Sequence, residues 1–318
     1  MRSAFRLVAW ALLALLLLMG IGVALTWTPD VPASALRARW APPPSTFIDL
    51  AGLQVHVRDE GPRDDPMPVV LIHGTSASLH TWEGWVAALR GTRRVISFDL
   101  PGFGLTGPNA SGDYSDAAYV RFTLQMLDSL KLQRVVLGGN SLGGAIAWQT
   151  AAVAPQRVAR LILVDAGGYP LDSVSVPIGF QIARLPLLRD LMRYTLPRSV
   201  IESSVRNVYG DPSRVTPELV DRYMAMTSRA GNREALGRRM SQMASGRQGL
   251  ERLGALTQPT LILWGGRDHL IPPAHAQRFA HDIKHSTLLV FDELGHVPHE
   301  EDPARTVAAV QQFLVANP

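Results

Sequence analysis

Ser141 lies in the run Gly139-Asn140-Ser141-Leu142-Gly143, a Gly-x-Ser-x-Gly pattern that takes its chemical meaning from its setting. Before it stands Arg134-Val135-Val136-Leu137-Gly138, a short apolar run rich in β-branched residues that reads as strand. After it stands Gly144-Ala145-Ile146-Ala147-Trp148-Gln149-Thr150-Ala151-Ala152, which reads as helix. A serine on a sharp strand-to-helix turn is held in a strained conformation with its hydroxyl exposed. Small residues two before and two after it let the flanking chains pass close together. A serine hydroxyl is weak at neutral pH, so such a nucleophile needs an adjacent base. The chain has no cysteine, which excludes a cysteine nucleophile, a thiolate metal site and a disulfide framework.

Holding that turn requires a sheet, and the pattern from residue 46 onward supplies one. Candidate strands are Thr46–Leu50, Leu53–Arg58, Val69–His73, Arg94–Phe98, Val135–Gly138, Leu161–Asp165, Thr260–Trp264 and Thr287–Phe291. The later ones are continuous apolar runs, as expected of parallel strands buried on both faces. Candidate helices are Thr81–Arg90, Asp116–Leu130, Leu142–Ala154, Ala274–His281 and Pro303–Val315. The alternation predicts an α/β fold, a mostly parallel eight-stranded sheet with helices on both faces. Ala51-Gly52 between the first two strands predicts an antiparallel hairpin at the sheet edge. Between Asp165 and Thr260 no good strand appears. Helical runs such as Ile178–Tyr194 and Pro217–Ala230 occupy this interval, which is far too long for a structureless loop. Residues 168–257 are therefore expected to form a helical cap, inserted into a core of 46–167 and 258–318.

The N-terminus carries a different signal. Arg2 and Arg6 precede Leu7–Trp27, a stretch without a charge. As a helix it spans about 31 Å, close to a bilayer hydrocarbon core of roughly 30 Å. Residues 1–27 are expected to be a retained transmembrane anchor, with Trp27 at the interface. The alternative is a cleaved signal peptide with core Leu7–Met19 and cleavage site Gly22-Val23-Ala24. Either way the body is exported, to the periplasm or the extracellular side. Residues 28–45, with Pro29, Pro32, Pro42, Pro43 and Pro44, read as an extended spacer that holds the body away from the membrane. At 47% hydrophobic residues the 318-residue chain can build a real core. Its net charge of +4 does not indicate nucleic acid: the only lysines are Lys131 and Lys284, and the arginines are scattered.

Four motifs in order make the chain resemble the α/β-hydrolase superfamily, specifically bacterial serine hydrolases with a helical cap, over about residues 46–317. They are His73-Gly74-Thr75-Ser76, the Ser141 turn, Trp264-Gly265-Gly266-Arg267-Asp268-His269-Leu270-Ile271-Pro272 and Gly295-His296-Val297-Pro298-His299-Glu300-Glu301-Asp302-Pro303. The resemblance implies Ser141 as nucleophile, His296 as general base and Asp268 as the acid that orients it. It also implies an oxyanion hole from the backbone N–H groups of Thr75 and Leu142. His73 then shapes its loop without doing chemistry, and Ser76 is a candidate for a side-chain contact. Asp165 is the rival acid, and His299 is the rival base. Asp99, at a strand end, reads as capping a turn. His80, His269, His275, His281 and His285 lack any such setting and read as exposed or capping. No cofactor and no metal are expected, because no pair of histidines has ligand spacing beside a usable acid.

A serine in the elbow sets the chain apart from dehalogenase and epoxide-hydrolase relatives, which carry aspartate there. The expected reaction is acyl transfer on a lipophilic carboxylic ester, a hydrophobic small molecule. The alternatives are carbon–carbon hydrolysis of vinylogous diketones from ring cleavage and cofactor-free haloperoxidase or lactonase activity. A ligand-binding, non-enzymatic role is a remote fourth. The Gly-Asn-Ser-Leu-Gly-Gly elbow looks like the carbon–carbon group, but those enzymes usually carry tryptophan after the base histidine, where this chain has Val297. Phe180, Leu185, Leu187, Leu188, Leu191 and Met192 of the cap are candidates to line an acyl pocket, or simply to dock the cap on the core.

Overall fold

A computed structural model describes residues 2–243 and 249–317. Residues 244–248 of the expected cap lie outside the described residues. Eight strands form one sheet: β1 Thr46–Leu50, β2 Leu53–Glu60, β3 Val69–Ile72, β4 Val95–Phe98, β5 Val135–Asn140, β6 Val158–Val164, β7 Thr260–Gly265 and β8 Ser286–Phe291. The spatial order is β1-β2-β4-β3-β5-β6-β7-β8. β2 pairs antiparallel with both β1 and β4, and every other pair is parallel. The expected edge hairpin is there, turning at Ala51 and Gly52, both with positive φ.

Burial on both faces explains the unbroken apolar runs. In β3, Val70 and Ile72 join one core cluster while Val69 and Leu71 join the other. β6 splits the same way, Leu161 and Leu163 against Ile162 and Val164. It starts three residues earlier than its apolar run, because Arg160 is buried within the strand.

The helices are α1 Arg2–Leu25, α2 Ala33–Trp40, α3 Glu83–Leu89, α4 Asp116–Ser129, α5 Leu142–Val153, α6 Ile178–Arg184, α7 Pro186–Met192, α8 Arg198–Val208, α9 Pro217–Ser228, α10 Asn232–Gln242, α11 Ala274–Asp282, α12 Pro298–Glu301 and α13 Pro303–Ala316. α3 and α13 cover one sheet face through Trp85, Val86, Val310 and Phe313. α4, α5 and α11 cover the other through Met126, Ile146 and Phe279.

Two expectations need correction. The single helical run Ile178–Tyr194 is two helices. Pro186 has no N–H to donate, and it drives Leu185 to an extended φ of −92° and ψ of 114°. Residues 28–45 are not an extended spacer but include α2 and dock on the cap. Val31 donates to Ser228 O at 2.8 Å, Ala230 donates to Val31 O at 2.8 Å, and Asp30 pairs with buried Arg233 at 2.6 Å. Prolines confine themselves to the flanks here, leaving Ala33–Trp40 free of helix breakers. α1 projects from the body, its residues 4–25 almost wholly exposed, and the stretch Ala4–Leu25 is long and apolar enough to cross a membrane.

Candidate active site

β5 ends at Asn140, and the chain reverses into α5 at Ser141 with φ 55° and ψ −115°, a conformation that L-residues rarely adopt. The glycines around it are sterically required. A Cβ on Gly143 would stand 2.0 Å from Ile72 O, and one on Gly139 would stand 2.2 Å from the Gly143 backbone. The loop after β3 presses on this turn, since a Cβ on Gly74 would come within 2.8 Å of Asn140 Oδ1 and 3.2 Å of Ser141 Cβ. Thr75 follows on that loop. Leu142 is the first residue of α5, so its N–H has no acceptor within the helix.

His296 and Asp268 arrive from the loops after β8 and β7. His296 Nδ1 lies 2.7 Å from Asp268 Oδ2, and both residues are buried. The other Asp268 oxygen accepts the N–H groups of Leu270 and Ile271 at 2.8 and 2.9 Å. With Nδ1 donating to a carboxylate, Nε2 of a neutral imidazole is left to accept a proton. Ser141, His296, Thr75 and Ser76 border one cavity, of about 780 Å³ including its open mouth. Its walls are largely apolar: Phe180, Met192, Val200, Ile201, Val205, Val208, Leu236 and Val297. Leu142 borders a second cavity that also reaches Ser141 and Thr75, and whose wall includes Arg184, Gln149 and Arg239.

The rival candidates have other surroundings. Asp165, with φ 44°, is fully buried behind Asp268 and accepts the N–H of Gly265 at 2.9 Å. Burial first, and then the Asp268 carboxylate, push its carboxyl well above the ordinary range, toward the neutral acid. Donor atoms of Asp165, Asp268 and His296 lie within 4.8 Å of one another. Asp268 already spends both its oxygens on His296 and two backbone amides. His299 is buried, packs against Trp82 at 4.0 Å between ring centroids with the rings tilted, and has no partner for either nitrogen among the described residues. Burial, then the nearby His296 and Arg222, hold it well below the ordinary imidazole range.

His73 accepts the Leu100 N–H at Nε2 (2.9 Å) and donates from Nδ1 to Gly74 O (2.7 Å), so it braces its loop in one tautomer. Asp99 accepts the N–H groups of Leu79 and Leu105, both at 2.7 Å, and pairs with His56 at 2.8 Å. Burial works to raise the Asp99 carboxyl, but the neighbouring histidines, His56 foremost, hold it below the ordinary range. His80 and His275 are buried, which corrects their reading as exposed or capping. Their rings are taken up by Trp40 O and Asp172 respectively. His269, His281 and His285 are exposed.

Three residues outside the sequence reading hold the site together. Asn140 Nδ2 donates to His296 O at 2.9 Å and to Val164 O at 3.2 Å, tying the elbow to the histidine loop. Glu301 accepts the N–H groups of Gly295, Gly210 and Asp211 at 2.8 to 2.9 Å, binding that loop to the end of α8. Glu300 forms an ion pair with Arg222 and accepts from Tyr223 Oη at 2.8 Å, both on α9. Asn140 and the two glutamates stand inside the motifs themselves. Arg222, some eighty residues away, carries no local signal.

A family model for the alpha/beta hydrolase fold matches residues 67–303. The chain belongs to the α/β-hydrolase family. The hydrolase is 32% identical to a 2-hydroxy-6-oxo-2,4-heptadienoate hydrolase of Pseudomonas putida over 286 residues, covering 85% of this chain and 96% of that one. A mutant meta-cleavage product hydrolase from Pseudomonas fluorescens superposes with a TM-score of 0.74 at 27% identity, covering 85% of this chain and 97% of that one. A thermophilic esterase from Thermogutta terrifontis superposes with a TM-score of 0.70 at 27% identity, covering 86% of this chain and 97% of that one. The eight-stranded sheet and the order of the four motifs agree with this family.

Proposed function

We propose that this hydrolase cleaves lipophilic carboxylic esters through an acyl-enzyme. His296 takes the Ser141 proton as the hydroxyl attacks the carbonyl carbon. The N–H groups of Thr75 and Leu142 hold the oxyanion, and Asp268 fixes the ring and stabilises the imidazolium. His296 then protonates the leaving alcohol, and water repeats the sequence in reverse. The observation that carries the ester reading is the cavity beside Ser141 and His296. Among the described residues no lysine or arginine lines it. A dienoate from ring cleavage brings its own carboxylate, and burying that charge unpaired among valines and a phenylalanine is costly. An uncharged acyl chain has no such cost. Retained anchoring of residues 1–27 in a membrane, with the body on its exported side, belongs to the same reading, because it places the enzyme where hydrophobic esters concentrate. Residues 168–257 act as the cap that selects among them.

Carbon–carbon hydrolysis is the second reading. It is favoured by the 32% identity to the heptadienoate hydrolase and by Arg184 on the wall of the second cavity. A panel of p-nitrophenyl esters of rising chain length, run beside a ring-cleavage dienoate with Ser141→Ala as control, separates the two. Ester turnover that rises with chain length and vanishes in the control is the expected result. Turnover of the dienoate alone overturns it.

A further inference from the structure

α7 carries apolar residues on its inner and its outer side. Met192 points inward and lines the cavity at Ser141. Leu187, well over a quarter-turn away, points outward and is 81% exposed; Leu188, one turn before Met192, is 39% exposed at the rim, and Leu185 just before the helix is 53% exposed. Such exposure is unusual in its concentration. Among the described residues beyond residue 27, eleven large apolar side chains are exposed, and seven of them fall between Leu171 and Tyr194. Single exposed leucines are ordinary, but a cluster marks a surface that something covers.

The chain itself shows what stands next to this surface. The apolar helix α1 ends beside it: Trp27 stacks on Tyr194 with ring centroids 5.5 Å apart. Thr28 donates to Tyr194 O at 3.0 Å, and the Thr26 and Thr195 hydroxyls bond each other. Both aromatic rings remain about half exposed, as aromatic residues at a membrane interface do. Leu187 and Leu191 share one face of α7, and Tyr194 follows two residues after its end. Leu187 thus stands about 8 Å along the helix from that end. Were α1 to span a bilayer, a helix that close to its end would be in reach of the interfacial layer, where amphipathic helices bury their apolar side about 5–10 Å deep.

We infer that α7 docks on the bilayer that α1 spans, its outer leucines among the acyl chains, so that the cavity at Ser141 is loaded from the membrane. The occupant is lipid rather than a second copy of the chain, because the surface is continuous with the end of the span. This inference rests on the reading of residues 7–27 as a retained anchor.

The absence of cysteine makes single-site labelling clean. The full chain is reconstituted in phosphatidylcholine vesicles with an environment-sensitive fluorophore on Leu187→Cys, Leu12→Cys or Lys131→Cys, and doxyl-labelled lipid is added. The label at Leu187 should lose most of its emission, as should the one at Leu12, while the one at Lys131 keeps its emission. Quenching at Leu12 but not at Leu187 overturns the docking and leaves the anchor standing. Quenching at neither site overturns the anchor itself. A label at Leu187 that is shielded yet unquenched, with cross-linking between two Leu187→Cys chains, assigns the surface to a second copy and overturns the docking. Leu187→Glu with Leu188→Glu should cut hydrolysis of a vesicle-embedded ester about tenfold, a loss of about 1.4 kcal/mol in transfer. A short soluble ester should be cleaved as before. An equal loss on both esters refers the effect to the cap's fold and overturns the role in loading, whereas the quenching result does not depend on any ester being a substrate.

Discussion

At the C-terminal ends of β5, β7 and β8, three side chains converge from far apart in sequence, each set by its own strand end. Ser141 follows β5 directly, Asp268 comes three residues after β7, and His296 comes five after β8. In the cap, by contrast, α6 to α10 are short helices of 7 to 12 residues, several opened by proline, and no sheet fixes their places. What holds the cap is a buried ion pair, Arg222 with Glu300, and the carboxylate of Glu301 on backbone amides. A strand end is a local event that the nearby sequence dictates. A cap fastened by contacts across some eighty residues can be rebuilt without disturbing the chemistry behind it, which is how one elbow can serve several substrates.

The sharpest way to break this contrast is to remove chemistry from the strand ends while leaving the fold alone. Ser141→Ala should lower kcat by about 10⁶, and Asp268→Asn by about 10⁴, with unchanged circular dichroism. Steady-state assays on the best ester of the panel check both. Retention of activity in Asp268→Asn with loss in Asp165→Asn would move the orienting acid to the end of β6. In that case Asp165 would have to ionise, against the push of burial and Asp268.

The cap's fastening comes next. Glu300→Ala leaves the Arg222 guanidinium buried without its partner. Removing one member of a buried pair costs about 3–5 kcal/mol. Urea unfolding should show that loss, with KM raised more than kcat is lowered, because the cap lines the cavity while the elbow remains braced by Asn140. A change in kcat alone would mean that Glu300 acts through the His296 loop and that cap and core are not separable.

The same contrast sets what could be read in advance. The five inner strands β3 to β7 show in the sequence because burial on both faces demands apolar runs, with Arg160 hiding the true start of β6, whereas β1, β2 and β8 are partly exposed and show by alternation or by their place in the strand–helix rhythm. Ser141, Asp268 and His296 are singled out by motifs at strand ends and by the resemblance those motifs carry, and the structure does place all three just after β5, β7 and β8. Illegible features depend on distance. Pro186 does signal the break between α6 and α7, yet nothing local says that Leu187 faces outward and Met192 inward, or that Leu185, Leu187 and Leu188 stay out of the acyl pocket. His80 and His275 are ordinary in sequence and buried in the fold, because their partners, Trp40 O and Asp172, lie about forty and a hundred residues away.

A smaller effect comes from protons at the seam between the core and the N-terminal segment. Burial, against the pull of Asp99, lowers the His80 pKa from 6.5 to about 4. The unfolded chain therefore takes up a proton near pH 6.5, which the native state refuses until about pH 4. Below 6.5 the unfolded state binds more protons, so this contribution is whole above that pH and is lost as pH falls toward 4. The loss is up to about 1.4 kcal/mol per pH unit, about 3 kcal/mol in all. His299, lowered in the same way, adds to the slope. Scanning calorimetry from pH 7.5 to 4.5 should show Tm falling, and less steeply in His80→Gln. A level Tm would mean that the seam opens and hydrates its histidines before the body unfolds.

The mildest test compares one helix start on each side. Ser115 caps α4 in the core by accepting the Ala118 N–H, and Thr216 caps α9 in the cap by accepting the Leu219 N–H, both at 3.2 Å. Chemically the two losses are alike, about 1 kcal/mol for Ser115→Ala or Thr216→Ala. Where that loss appears is what distinguishes the regions. A segment that opens by itself takes the whole penalty in its own opening, and a segment that opens only with the body shares it with every strand. Hydrogen exchange should be about fivefold faster across α8 and α9 in Thr216→Ala, with β5 and β6 unchanged. In Ser115→Ala the slowest amides of the sheet should all speed up together. If Thr216→Ala also accelerates the sheet, the Arg222–Glu300 pair couples the cap to the body throughout, and the cap's freedom to vary lies in its sequence and not in its motion.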